Sequence, residues 1–217
     1  MTKTPCAVLI SGNGSNLQAL IDACAQPDFP VTIVRVISNN AQAFGLQRAH
    51  KAGIETLVID HRGFHSREDF DQALHEALVE CGAQLVCLAG FMRILTAEFV
   101  GKWPGKMINI HPSLLPSYRG LHTHRRALED GVRFAGCTVH FVVPEMDAGP
   151  IIIQAAVPIW EEDTEASLAQ RVLEQEHRLY PQALRWLAEG RLSVENNRVK
   201  IRDNAAKTAA LIHPSLN

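Results

Sequence analysis

The sequence has no excess of charge of either sign. Its 217 residues carry 21 Lys and Arg against 23 Asp and Glu, a formal net charge of −2, and no long basic run occurs. A nucleic-acid surface needs clustered Lys and Arg to neutralise phosphates, so composition argues against nucleic acid as a partner and leaves room for a local pocket for a small anion. Cysteine is sparse: Cys6, Cys24, Cys81, Cys87 and Cys137 are odd in number, scattered, and never form a C-x-x-C pair. That pattern gives neither a disulfide framework nor a zinc ribbon, and it reads as reduced core thiols of a cytoplasmic protein. No apolar stretch reaches the roughly eighteen residues of a bilayer span. The start, MTKTPCAVLISGNG, meets glycine too early for a secretory signal, so no membrane association is expected.

What is present is an ordinary globular content of hydrophobic residues, 47%, arranged in strand-length runs that alternate with helical periodicity. The runs at 7–10, 31–37, 56–59, 85–88 and 107–110 are mainly apolar, which predicts strands covered on both faces, as in a parallel sheet. After Arg67, the positions Phe70, Ala73, Leu74, Ala77, Leu78 and Cys81 mark one face of a helix that Gly82 closes. Further on, a short helix near 124–129, a strand at 138–143, a strand at 151–157, a long helix over about 164–188 and a hairpin of 192–194 with 198–201 are expected. The expected fold is a doubly wound α/β domain with a mostly parallel sheet, helices on both faces and a small C-terminal extension. Its ligand crevice belongs at the carboxyl ends of the strands.

The polar motifs follow such runs. SGNGSN, Ser11 to Asn16, comes directly after the first strand and opens a helix bearing Leu17, Leu20 and Ile21. Free N–H groups at a helix start, approached closely through glycines, suit a phosphate, although a tight turn that merely needs glycine has the same composition. A dinucleotide is disfavoured, because no glycine stands at the third fingerprint position and the second strand ends in Ser38-Asn39-Asn40 without an acidic residue. The glycines of this loop are not followed by Lys and then Ser or Thr, so the loop is not a P-loop of the NTPase kind.

In MINIHPSLLPSYRG, Asn109 and His111 stand two residues apart at the end of a strand, which places both side chains on one side. An amide and an imidazolium aimed together can stabilise one developing oxyanion, which suggests acyl chemistry. Asp147, in the turn Met146-Asp147-Ala148-Gly149-Pro150, is the candidate carboxylate partner because strand ends converge on one crevice; it could equally only shape its turn. His122 and His124, with His111 and His140, would be a metal set only if acids or thiols stood at ligand spacing, and none does. His122 reads instead as a side chain lining the site, and no metal is expected. Glu176 lies on the apolar stripe of the long helix, where a carboxylate must be paired or face a ligand. Its functional reading is an acceptor for sugar hydroxyls, and its structural one a salt bridge.

Four segments together, LISGNGSNL, AGFMRIL, NIHPSLLPSYRGLHTH and DAGPII, resemble the phosphoribosylglycinamide formyltransferase family over nearly the whole chain, to about Arg191. The resemblance implies transfer of a formyl group from 10-formyltetrahydrofolate, a co-substrate, to the amine of glycinamide ribonucleotide without a metal. It implies that Asn109, His111 and Asp147 are catalytic, with His111 the proton donor and Asp147 favouring its charged form. Gly14, Ser15 and Asn16 would hold the substrate phosphate and Glu176 the ribose hydroxyls. Met92, Arg93, Ile94 and Leu95, largely through backbone groups, would line the pterin pocket with Asn109 and Val143, and Arg67 would contact the folate. Arg119 departs from the family, where proline is more common, and is taken as a loop substitution near the crevice mouth.

The expected organisation is one formyltransferase domain over 1–202, with a phosphate-binding half to about 105 and a catalytic, folate-binding half after it, and a loose tail over 203–217. Monomer and homodimer are both compatible with the sequence. Related formyl enzymes with an added tRNA-binding or regulatory domain fit 217 residues less well. A non-catalytic nucleotide-binding module on the same fold is the alternative from another class. The tail repeats His-Pro-Ser-Leu at 213–216 without an Asn two residues before the histidine, so the tetrapeptide by itself is not the signal. Leu114 and Leu115, apolar within a loop, read as anchors that hold the loop over the site.

Overall fold

In the computed structural model, which describes residues 2–203, 211, 213 and 214, strand β1 (Thr4–Ile10) lies inside the sheet, between two parallel neighbours. Its odd and even positions feed different cores: Cys6, Val8 and Ile10 pack on one face, Ala7 and Leu9 on the other, all fully buried. This two-sided burial is why the run is apolar throughout. Helix α1 (Ser15–Cys24) leads to β2 (Val31–Ser38), α2 (Phe44–Lys51) and β3 (Thr56–Val58). A 3-10 turn (His61–Gly63), α3 (Arg67–Glu80), β4 (Leu85–Leu88), α4 (Ala97–Gly101) and β5 (Met107–His111) follow. The chain continues through α5 (Thr123–Glu129), β6 (Phe134–Phe141), β7 (Ile151–Pro158), α6 (Glu165–Ala188) and the hairpin β8 (Leu192–Glu195) and β9 (Arg198–Ile201).

The seven-stranded sheet has the order β3-β2-β1-β4-β5-β6-β7. Strands β1 to β5 pair in parallel, and β6 and β7 extend the sheet antiparallel. The strand order reverses between β1 and β4, and the carboxyl ends of these strands flank the crevice that such a switch creates. Helices α1, α2 and α6 cover one face, and α3 and α4 the other. Ser66 caps α3 by accepting from the Asp69 N–H, and Gly82, at φ 68°, follows its end. Thr164 and Ser167 form a reciprocal capping box that starts α6, the arrangement that satisfies two otherwise unpaired donors. Leu168, Val172, Tyr180 and Leu184 on α6 are fully buried, worth about 1.5–3 kcal/mol for each large apolar side chain.

Three sequence expectations need correction. Strand β3 is an edge strand bonded only to β2, with Thr56 and Val58 exposed, so its apolar run does not mark a strand covered on both faces. Strand β6 begins at Phe134 rather than 138 and ends at Phe141 rather than 143. Gly136 lies inside it, and the Ala155 carbonyl approaches so closely that a Cβ there would sit 1.9 Å from its oxygen. Most of the expected loose tail, 204–210, 212 and 215–217, lies outside the described residues. Its described part is not all loose, because the His213 ring donates from Nε2 to the Ile159 carbonyl at 3.0 Å and meets Phe134 edge-on. Among the described residues no helix is long and apolar enough to cross a membrane.

Candidate active site

The loop after β1 is shaped by close backbone approach. Gly14 adopts φ 72°, and a Cβ there would lie 2.7 Å from the Gly45 Cα, so glycine is required on both counts. The Gly45 N–H donates to the Gly12 carbonyl at 3.0 Å. Arg48, from α2, donates through Nε to the Asn13 carbonyl at 2.9 Å and through Nη2 to the Asn13 Oδ1 at 3.3 Å. The loop is thus braced from α2, and the start of α1 has the free N–H groups that at a helix N-terminus suit an anion. Asn16 Nδ2 donates to Glu176 Oε2 at 2.6 Å, joining this loop to α6, while Asn16 Oδ1 is buried without a partner. Burial pushes the Glu176 carboxyl up, opposed by the bond from Asn16. Glu176 therefore has neither of its simpler fates, a salt bridge or open water, and the bond from Asn16 holds its buried carboxyl beside the loop after β1.

Two strands away, β5 presents the polar pair. The register sets Asn109 opposite His140 and His111 opposite Thr138. His140 Nδ1 lies 2.9 Å from the Phe141 carbonyl and therefore carries the ring hydrogen. Its Nε2 lone pair then accepts from Asn109 Nδ2 at 3.2 Å. Burial holds the His140 imidazole below its ordinary range, against the pull of the Phe141 carbonyl and of Asp147. The amide of Asn109 is so oriented that one N–H goes to His140 and the second remains to be given elsewhere.

His111 is 6% exposed, and both its ring nitrogens face acceptors. Nε2 donates to the Tyr118 carbonyl at 2.9 Å, and Nδ1 lies 3.5 Å from Asp147 Oδ2. Asp147 Oδ2 also accepts from the Gly120 N–H at 2.9 Å, and its Oδ1 lies 3.8 Å from His140 Nε2. Asp147 has φ 50°, so it shapes its turn and faces the histidines at once. It arrives by a route other than convergent strand ends. Phe141 is opposite Ile108, and the Val142 N–H donates to the Met107 carbonyl, so the β6–β7 connection starts near the amino end of β5. Asp147 reaches His111 from there.

The loop that follows β5 is tied down by Thr138. Its hydroxyl donates to the Ser113 carbonyl at 2.7 Å and accepts from the Leu115 N–H at 3.1 Å and from Gln154 Nε2 at 2.9 Å. Leu115 is buried, and Leu114 is half-buried against Gly136, so both anchor the loop as expected and Leu115 does more. Arg119 is exposed, and its carbonyl accepts from Arg126 Nη1 at 2.7 Å. His122 is exposed at φ 57° at the start of α5.

Met92 and Ile94 expose their side chains, Leu95 is buried, and Arg93 and Val143 are half-buried. The 92–95 segment follows β4, which lies between β1 and β5 in the strand order. Arg67 is exposed as the first residue of α3. Neither Arg67 nor His122 has a hydrogen bond or ion pair to the histidine cluster among the described residues. His140 is the residue that sequence reasoning missed as part of the cluster. A polar residue within the apolar run TVHFVV was its only signal, and its partner is set by a register the sequence does not display. Among the described residues no group of three or more His, Cys, Asp or Glu is placed to hold a metal ion.

Residues 5–184 match the formyl transferase family. The phosphoribosylglycinamide formyltransferase of Escherichia coli (strain K12) is 51% identical over 190 residues, 88% of this chain and 90% of that protein. The trifunctional purine biosynthetic protein adenosine-3 of Gallus gallus is 53% identical over 192 residues, 88% of this chain. The chain spans only about a fifth of the length of that trifunctional relative, 19%. Among solved structures, glycinamide ribonucleotide transformylase 1 from Symbiobacterium toebii is similar with a TM-score of 0.90 at 50% identity, over 92% of this chain and 94% of that one.

Proposed function

The chain belongs to the formyl transferase family, and on that premise we propose that it transfers the formyl group of 10-formyltetrahydrofolate to the amine of 5'-phosphoribosylglycinamide. The products are N-formylglycinamide ribonucleotide and tetrahydrofolate. The observation that carries this reading is the cluster of Asn109, His111, His140 and Asp147, held by hydrogen bonds and close charges on β5, β6 and the turn after it. It lies two strands from a helix start suited to phosphate.

In this reading the N–H groups of Gly14, Ser15 and Asn16 bind the substrate phosphate, and Glu176 accepts from the ribose hydroxyls. The orphaned Asn16 Oδ1 and the buried Glu176 acid fit a polyhydroxylated ligand better than an empty wall. The backbone of Met92, Arg93, Ile94 and Leu95, with Val143 and Arg67, holds the folate, and His122 lines the entrance. The amine attacks the formyl carbon, a carbon–nitrogen bond forms, and the carbonyl electrons move to oxygen. Asn109 gives its second amide N–H to that oxyanion, and His111, as imidazolium, gives a second hydrogen bond. The Tyr118 carbonyl must release His111 Nε2 for this. On collapse the bond to the folate nitrogen breaks, and that nitrogen takes up a proton supplied through His111 while the new amide loses one. Asp147 holds the imidazole in place and offsets its charge. No metal has a role in these steps, and the reactants suit a cytoplasmic enzyme of one domain over 1–202.

The test is direct. Purified protein mixed with 10-formyltetrahydrofolate and phosphoribosylglycinamide is expected to release tetrahydrofolate and formylated product in equal amounts, unchanged by a chelator. Tetrahydrofolate released without the acceptor would point to a hydrolase. No reaction with either would leave a binding module, and loss under chelator would overturn the metal-free mechanism.

A further inference from the structure

The segment between β4 and α4 is pinned at both ends by side chains that lie outside it. At its start the Met92 N–H donates to Ser11 Oγ at 2.7 Å, and at its end the Thr96 N–H donates to Asp71 Oδ2 at 2.7 Å. Between these pins Met92 is 64% and Ile94 54% exposed, so side-chain packing contributes little to the conformation of those residues. What the two contacts fix is main chain.

Each pin is built beyond what the fold needs. Every polar group of Ser11 is engaged. Its N–H donates to the Gly90 carbonyl at 3.1 Å, and its carbonyl accepts from Asn40 Nδ2 at 3.4 Å. Its hydroxyl donates to Asn39 Oδ1 at 2.6 Å, which leaves a lone pair for Met92. The Asn39 amide in turn faces His61 Nδ1 at 3.3 Å. Such a chain of donors in one direction strengthens each link. Asp71 is 3% exposed, and its Oδ1 has no partner. A buried carboxylate that spends one oxygen on a single backbone N–H is costly compared with an apolar residue of similar volume. Stability alone therefore does not account for it, whereas a requirement on the position of Thr96 does.

We propose that Ser11 and Asp71 are positioning residues for the folate, acting through the backbone of 92–96 that they hold. The inference rests on the reading of that backbone as the folate-holding segment.

Steady-state kinetics in both substrates tests this, together with fluorescence titration of tetrahydrofolate. Ser11→Ala removes the acceptor at Met92 and is expected to raise KM for 10-formyltetrahydrofolate and the tetrahydrofolate Kd about fivefold, the scale of one lost hydrogen bond. The kcat and the KM for phosphoribosylglycinamide are expected to stay within about twofold, and Ser11→Thr, which keeps the hydroxyl, to restore the folate values. Asp71→Ala is expected to act in the same direction and to lower Tm, while Asp71→Asn, which keeps a carbonyl acceptor, stays close to wild type. Unchanged folate constants in Ser11→Ala, or an equal rise in both KM values, would overturn the inference. Wild-type protein that neither binds tetrahydrofolate nor transfers formyl would overturn the functional reading itself, a different result from an active wild type with an unaffected variant.

Discussion

His-Pro-Ser-Leu begins at both His111 and His213, and the two histidines sit in different worlds. Each gives a ring N–H to a backbone carbonyl, His111 to Tyr118 at 2.9 Å and His213 to Ile159 at 3.0 Å. Beyond that they diverge. His111 ends a strand of the main sheet, with Asp147 at 3.5 Å and Asn109 two residues earlier paired to His140. His213 packs against Phe134, and no carboxylate lies within ion-pair distance of it among the described residues. The tetrapeptide supplies the imidazole; register and the turn after β6 supply everything that makes it chemical.

Substitutions can break that contrast. His111→Ala is expected to lower kcat by about 1000-fold, within the range for a lost general acid, while His213→Ala leaves kcat within about twofold, read in the same formyl-transfer assay. Asp147→Asn, which takes from His111 the partner His213 lacks, is expected to cost about 100-fold in kcat with folding intact by circular dichroism. At the other wall, Glu176→Gln is expected to raise KM for phosphoribosylglycinamide about tenfold. It is also expected to raise Tm at neutral pH. Burial lifts the folded-state pKa of Glu176, so its favourable contribution is present below the ordinary value of about 4.3 and is lost as pH rises.

The smallest effect sharpens the role of His140. Its folded-state pKa is depressed by burial, so stability is full above the ordinary histidine value of about 6.5 and declines as pH falls below it. His124 and His177 are shifted the same way by burial. His140→Gln is therefore expected to flatten part of the fall in urea midpoint below about pH 6.5, not all of it.

Much of this was legible from periodicity. The apolar runs of β1, β2, β4 and β5 and the helical stripes of α3 and α6 mark their elements because burial on two faces or one stripe leaves a direct pattern. Asn109 and His111 could be paired because both lie on one strand. The rest depends on partners distant in sequence. The antiparallel step from β5 to β6 decides that His140 faces Asn109, and local pattern does not encode it. Ser11 and Asp71 act on backbone groups 81 and 25 positions away, so neither stands out within its own element. Gly136 owes its place to the Ala155 carbonyl on the neighbouring strand, a contact that its own strand does not display.

The central claim is that Asn109 and His111 act as one unit on one oxyanion. A double-mutant cycle of single-turnover formyl transfer with Asn109→Ala, His111→Ala and the pair tests it most directly. The account expects the double variant to be within about threefold of His111→Ala, because residues that serve one transition-state charge are not additive. Losses that multiply through the full product of the two single effects would mean independent roles, and would contradict it.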